Sequence, residues 1–561
     1  MPLPETLLTA PLQDLDLVVR TGTVPEGLHG EMVISAPVVD TRLGYQLFGF
    51  GALLRISLTP GTFGAAPDAF ALRHRVLDTP VHRLHERARE RFHGGLLGFD
   101  TPWGYPNMAN TAPLPMDGRL FATWDVGRPV EVDPVTLGFL GEVGHQVSWG
   151  RGSFGGHQAL PQVFSTAHPV VDHERGCLWT VKLVPAAGGL QPIVVRYDGD
   201  GTEVRTWPVE GATVVGSMHT VSQTRDWLVL ADSGNFKADM DEIFGGSRTV
   251  QIDDTVPVYF VRKEHLEATR PGDPVRCTRA EFGPTTGHYY ACWEDTDGVR
   301  ILFEHMDLMD LGYRLLPGDV DIYGNEIDPR LHGFYQMSMK PQTVSEWRFD
   351  PATGRGERFA VRTGTDTFNL QLSAQDWSPA GQSDPTHHHV VFQGFRGGAL
   401  ARRVLDVYDA RIDRSWFPAE DQPSTLVTFA RGDLGISSRY AFPSTGDLPT
   451  SPTFVPRRDG VPGGGDGWVV VPVLSDDGFR IEVFDAADVG RGPVVTLAPA
   501  QSTPLPFFLH SIWMPEAAPA PSVERLRFAD EVGERELAKL DDEARRLVLE
   551  VAAELDEELA R

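Results

Sequence analysis

Cysteine is nearly missing. The 561 residues contain three, Cys177, Cys277 and Cys292. They stand far apart, which excludes a disulfide framework or a thiolate zinc site and fits a reducing compartment. Lysine is scarce too, with five in the chain and none before Lys182. No run approaches the roughly 18 uninterrupted apolar residues that cross a bilayer. The N-terminal stretch MPLPETLLTAPLQDLDL carries no basic residue before Arg20 and no apolar run of signal-peptide length. A cytoplasmic protein is the expectation. Positive charge is in deficit: 50 Lys and Arg face 77 Asp and Glu, a net charge of −27. Such a surface repels phosphate, so no nucleic-acid partner is expected and anionic membranes are disfavoured. No glycine-rich loop is followed by Lys-Ser/Thr, which excludes a P-loop, and no Gly-x-Ser-x-Gly elbow marks a serine hydrolase.

Turn formers, by contrast, are plentiful. The 58 glycines and 44 prolines are about 18% of the chain, against a norm of about 12%. Between them lie β-branched and aromatic runs: 119–126, 177–184, 192–201, 226–235, 299–305, 388–395, 424–432, 467–478 and 479–486. Such runs at short spacing, without long intervening helices, predict an all-β architecture of antiparallel strands. At this size a β-propeller solves the edge-strand problem by radial repetition. No crisp blade repeat is visible, so spacing alone leaves the blade count open. A propeller over residues 1–520 is expected, with loops and short helices capping one face. Residues 521–561 read as a helical C-terminal tail. There Leu537, Leu540, Ala544, Leu547, Val551 and Leu555 fall on one stripe. That stripe either packs back on the body or pairs with a second copy as an oligomer.

Four of the 18 histidines sit at the ends of strand-like segments, among apolar or small residues. They are His168 in STAHPVVD, His219 in GSMHTVS, His288 in TTGHYYACWE and His510 in PLPFFLHSIW. A strand-rich disc can aim one side chain from each of several blades at its axis. Neutral imidazoles suit iron, copper, zinc or nickel. Each histidine alone reads more readily as a structural or hydrogen-bonded core residue.

Taken together, these contexts resemble the carotenoid cleavage oxygenases. The family's first ligand motif is matched by Ala167-His168-Pro169 with Asp172, the second by Met218-His219, the third by His288 with Trp293-Glu294, the fourth by Pro506, Phe507, His510 and Trp513. Gly127-Arg128-Pro129, Asp133-Pro134, Thr136-Leu137, Phe454-Val455-Pro456-Arg457 and Asp466-Gly467-Trp468 agree as well. The resemblance spans residues 15–515. It implies a seven-bladed β-propeller with Fe(2+) on its axis, held by His168, His219, His288 and His510. It further implies a dioxygenase that cleaves a C=C bond of a small apolar conjugated substrate with O2, a carotenoid, apocarotenoid or stilbene-like molecule, to carbonyl products. Members usually brace three of the histidines with glutamates. At those positions this chain has Asp125, Thr367 and Ser451. Two of the three carboxylates are therefore expected to be missing. The N-terminal family string is also degenerate, as Val33-Ile34-Ser35-Ala36-Pro37-Val38. These departures keep two alternatives open: the same iron propeller with non-cleaving chemistry, such as isomerisation or another oxidation, or a non-catalytic binding propeller. Stilbene-cleaving members grip a phenol with a tyrosine and a lysine, and the lysine-free stretch before Lys182 speaks against that subclass.

Several other groups have two readings. His387, His388 and His389 read as a strand-start loop with two imidazoles facing solvent, or as a stray metal site. His82, His85 and His93 stand on a short basic helix or loop over 80–97, either solvated or lining a substrate entrance. Leu96, Leu97, Phe99 and Trp103 form an apolar loop that either packs on the propeller or touches a membrane weakly. Phe164, Tyr289, Tyr290, Trp293, Phe507 and Phe508 are candidate tunnel walls or ordinary core.

Overall fold

The structure is a computed structural model. It describes residues 7–560 apart from 39–46, 48, 96–97, 155, 234–254, 284–285, 296–297, 307, 310–312, 378–386 and 462–464. Leu96 and Leu97 of the apolar loop thus lie outside the described residues, as do the side chains of Trp293 and Glu294.

The fold is propeller-like and built from antiparallel strands. All nine runs picked out by composition carry strands, among them Cys177–Ala186, Gly298–His305, Gly467–Ser475 and Gly478–Asp485. Five discrete sheets of four or five strands follow in chain order, beginning with the strands Ala112–Met116, Val170–Asp172, Val221–Gln223, Thr286–Asp295 and Gln371–Ala374. In each of the last four, the first strand lies at one edge of its sheet.

The expected seven separate blades are not what the hydrogen bonds give. Among the described residues the pairing shows five such blades, one ten-stranded sheet and one two-stranded ribbon. The physical reason is the strand Leu15–Gly22. It pairs on one side with Val495–Pro499 and on the other with Phe70–Val76. The N-terminal and C-terminal strand sets therefore merge into one sheet. Ser511–Met514, near the end of the chain, pairs in turn with Glu31–Val38. Both ends of the barrel-like ring are thus tied together by long-range strand pairing, which leaves fewer exposed edges.

The C-terminal segment packs back on the body. Helix Asp542–Leu559 is capped by Asp541, whose carboxylate accepts from Ala544 N at 2.8 Å. Its stripe buries Ala544, Leu547, Val548, Val551, Ala552 and Leu555 at the i, i+3, i+4 spacing of one helix face. These pack against Val81, Leu84, Phe92 and Trp103. Trp103 Nε1 donates to Ala544 O at 2.8 Å. The basic helix Pro80–Arg87 is therefore not a freely solvated one. Arg83 meets Glu558, Arg87 meets Glu554, and Arg91 meets Asp541 and Glu543. Exposed pairs of this kind contribute at most about 1 kcal/mol each, so burial of the stripe carries the docking. His85 is buried between the Phe50 and Phe92 rings. No helix of the described residues is long and apolar enough to cross a membrane.

Candidate metal centre

Each of the four histidines enters at the start of a strand. His168 and His219 stand two residues before Val170–Asp172 and Val221–Gln223. His288 is the third residue of Thr286–Asp295, and His510 immediately precedes Ser511–Met514. Their potential ligand atoms all lie within 4.8 Å of one another. Ring centroids are 4.8 Å apart for His168–His219, 4.9 Å for His168–His288, 4.4 Å for His168–His510 and 5.0 Å for His288–His510.

Backbone hydrogen bonds hold these starts together. His168 N donates to His219 O at 3.1 Å, and Val221 N donates back to His168 O at 3.0 Å. Thr166 Oγ1 donates to His219 O at 2.6 Å, and Thr220 Oγ1 to Gly287 O at 2.8 Å. The degenerate N-terminal string has a role here. Ser35 N donates to His510 O at 2.9 Å, and Leu509 N donates to Ser35 O at 3.0 Å.

Carboxylates orient two of the rings. Asp125 sits 2.8 Å from His219 Nδ1 through Oδ2, and its Oδ1 accepts from Ala167 N at 3.1 Å. Asp125 thus occupies the place expected of it. Glu304 Oε2 lies 3.2 Å from His288 Nδ1, and Glu304 is fully buried. Ser373 Oγ donates to the other Glu304 oxygen. Thr367 is elsewhere. Its hydroxyl donates to Gln342 O at 2.7 Å and Gly364 O at 2.8 Å. Ser451 donates to Leu509 O at 2.6 Å, so it braces the segment leading into His510. The expectation of one surviving carboxylate is therefore corrected to two, Asp125 and Glu304. Linear motif spacing does not reach Glu304. It stands directly opposite His288 across the hairpin closed at Asp295–Gly298, after one bulge between Ala291 and Trp293.

A third charged network lies one layer out. Lys263, buried, donates to Asp172 Oδ2 at 2.7 Å, Gln223 Oε1 at 2.8 Å and Thr224 O at 2.8 Å. It ties the strand after His168 to the strand after His219. Sequence reasoning found Asp172 but not its partner.

The electrostatics favour neutral imidazoles. Burial holds His168 well below the ordinary imidazole range, and the neighbouring His510, His219 and His288 push the same way. Burial does the same at His510, reinforced by His288 and His219. At His288 burial lowers the value against the opposing pull of Glu304. His168 Nε2 is buried and has no hydrogen-bond partner among the described residues. Two nitrogens on opposite sides of one ion would stand about 4.2 Å apart, given metal–imidazole bonds of about 2.1 Å. The residues therefore fit a divalent transition-metal ion in spacing, charge state and donor type.

Other candidates fall away from this centre. Tyr289 is structural: its hydroxyl donates to Thr220 O at 2.6 Å and accepts from Ala231 N at 2.9 Å. His388 and His389 are buried, not facing solvent. Their strand, His387–Phe392, lies inside its sheet between Gln371–Ala374 and Thr425–Ala430, and because consecutive residues point to opposite faces, the burial of both means that both faces are covered here. Lys182 is buried and spends its ammonium on the Trp149, Gly150 and Arg151 carbonyls.

Comparison with known proteins agrees with this geometry. The sequence pattern of the RPE65 family (retinal pigment epithelial membrane protein) matches residues 7–515. Resveratrol cleavage oxygenase 1 of Chaetomium globosum is 22% identical over 550 residues, covering 85% of this chain and 82% of that protein. The crystal structure of Pseudomonas brassicacearum lignostilbene dioxygenase superposes with a TM-score of 0.61 at 17% identity, over 92% of this chain and all of that one. Cobalt-substituted Synechocystis ACO gives 0.60 at 17% identity, over 90% of this chain and 97% of that one. With its four histidines converging inside a propeller-like fold, the chain belongs to the RPE65, or carotenoid cleavage oxygenase, family.

Proposed function

We propose that His168, His219, His288 and His510 hold one ferrous ion, and that the protein is a dioxygenase cleaving the C=C bond of an elongated, apolar, conjugated substrate. The observation that carries this reading is the convergence of the four imidazoles within 4.8 Å. When bound, the ion supplies the redox chemistry that joins dioxygen to the alkene, with one oxygen atom passing to each of two carbonyl products. The rest is the work of the chain. Asp125 accepts the Nδ1 proton of His219, which fixes the tautomer and turns the Nε2 lone pair inward, and the Glu304 carboxylate stands 3.2 Å from His288 Nδ1, where its charge favours the same orientation. Burial keeps His168 and His510 neutral and able to donate. The alkene supplies the electrons, so no reductant site is required.

The alternatives drew their force from missing carboxylates. With Asp125 and Glu304 both in place, that motive is much reduced. The relatives' names cover stilbenes and apocarotenoids, two versions of the same elongated conjugated alkene. The deciding experiment incubates iron-loaded protein with a polyene and a stilbene panel while oxygen consumption and products are followed. One O2 consumed per alkene, with paired carbonyl products and none under argon, supports the reading. Turnover that persists under argon, or iron-loaded protein inert to the whole panel, overturns it.

A further inference from the structure

A cavity of about 170 Å³ adjoins the centre, lined by residues of the first strands of four blades. His168 and His288 line it, and so do His387 and Gly465, which are exposed. Its walls include the polar side chains of Ser222, Gln223, Gln375 and Asp376. His388 also lines it. That residue is 7% exposed, and its Nε2 has no hydrogen-bond partner among the described residues. A buried imidazole nitrogen in this position calls for water, and the space holds several.

We propose that this cavity is the path by which the metal ion reaches the four-histidine cluster. The inference rests on the metal-binding reading above and adds a route to it. The cavity admits water-sized species. Its water-bearing groups suit a hydrated cation, which sheds its waters stepwise to oxygen and imidazole donors. Asp376 and the exposed His387 also line it, a carboxylate and an imidazole with which a hydrated cation can exchange its waters. The net charge of −27 attracts cations to the protein as a whole.

The test is the rate of Co2+ uptake by chelator-stripped protein, followed by the absorption of the bound ion. Two variants alter the path and spare the four histidines and their carboxylates. Ala374→Phe narrows a half-buried wall position, and its strain on the passage predicts uptake slowed by about tenfold. Asp376→Asn removes a charge from the lining and predicts slowing of a few fold through lost electrostatic attraction. In both, final occupancy reaches that of the unaltered protein, which also reports correct folding. Asp376→Asn, at a half-exposed site, keeps the test valid if Ala374→Phe does not fold. Slowed uptake with full final occupancy in either variant supports the route. Uptake at the unaltered rate in the folded variants overturns it. If the unaltered protein itself takes up no Co2+, the metal-binding reading fails instead.

Discussion

Glu304 is the residue on which the account differs most from the motif reading, and its replacement is the most discriminating perturbation. Glu304→Gln keeps the shape and an acceptor but removes the charge 3.2 Å from His288 Nδ1. Two unit charges at that distance interact by about 5 kcal/mol at an effective dielectric of 20. The imidazole N–H of a metal-bound histidine carries only a fraction of a charge. Loss of such a partner typically weakens metal binding 10–100-fold, or about 1.4–2.8 kcal/mol. Competition of the protein with a chelator of known affinity for Fe2+ or Co2+ measures this directly. Glu304→Gln is expected to lower affinity within that range. Thr367→Val, at a residue whose hydroxyl bonds the backbone of Gln342 and Gly364, is expected to leave it within about twofold. Equal affinity for Glu304→Gln and unaltered protein, or a larger loss in Thr367→Val, would refute the reasoning.

Three further outcomes follow from the packing. Burial holds His388 and His389 at about 3, so the folded chain keeps them neutral while the unfolded chain protonates them below about 6.5. Their contribution is complete above pH 6.5 and is lost as pH falls towards 3, by about 2 kcal/mol for each at pH 5. Urea unfolding at pH 7.5 and 5 should therefore show a shallower pH dependence in a His388→Gln, His389→Gln double variant, and parallel curves would contradict this. Leu547→Ala removes a buried anchor of the C-terminal helix and should cost about 2–5 kcal/mol, read as a lowered urea midpoint; an unchanged midpoint would show that the helix is not docked. Lys263→Met leaves the buried Asp172 with Arg175 as its cation and the Trp179 indole N–H as a further donor, and should destabilise by about 3 kcal/mol in the same assay, whereas a neutral result would remove the clamp from the account.

The strands and the four histidines were legible because their signals are local. Alternating β-branched runs between Gly and Asp mark strands, and each histidine sits within its own short motif. What was not legible depends on pairing across the chain. Glu304 meets His288 only through a hairpin register that includes a one-residue bulge, so linear motif spacing pointed to Thr367 instead. The blade count failed because Leu15–Gly22 bonds to strands from both ends of the chain, which no local pattern announces. His388 and His389 read as exposed because consecutive polar residues usually are. They lie in an interior strand whose two faces are both packed against neighbouring structure, which only the three-dimensional arrangement reveals. The stripe from Leu540 to Leu555 was visible, but its partner, the Pro80–Arg87 helix more than four hundred residues away, was not.

The most direct measurement is the metal-to-chain ratio of reconstituted, desalted protein, for the unaltered chain and for the four single variants His168→Ala, His219→Ala, His288→Ala and His510→Ala. The account predicts about one iron per chain in the unaltered protein, with a loss in each of the four variants, because each imidazole supplies one donor to the same ion. A chain that retains no iron, or a ratio unchanged by any one of the four substitutions, would contradict it.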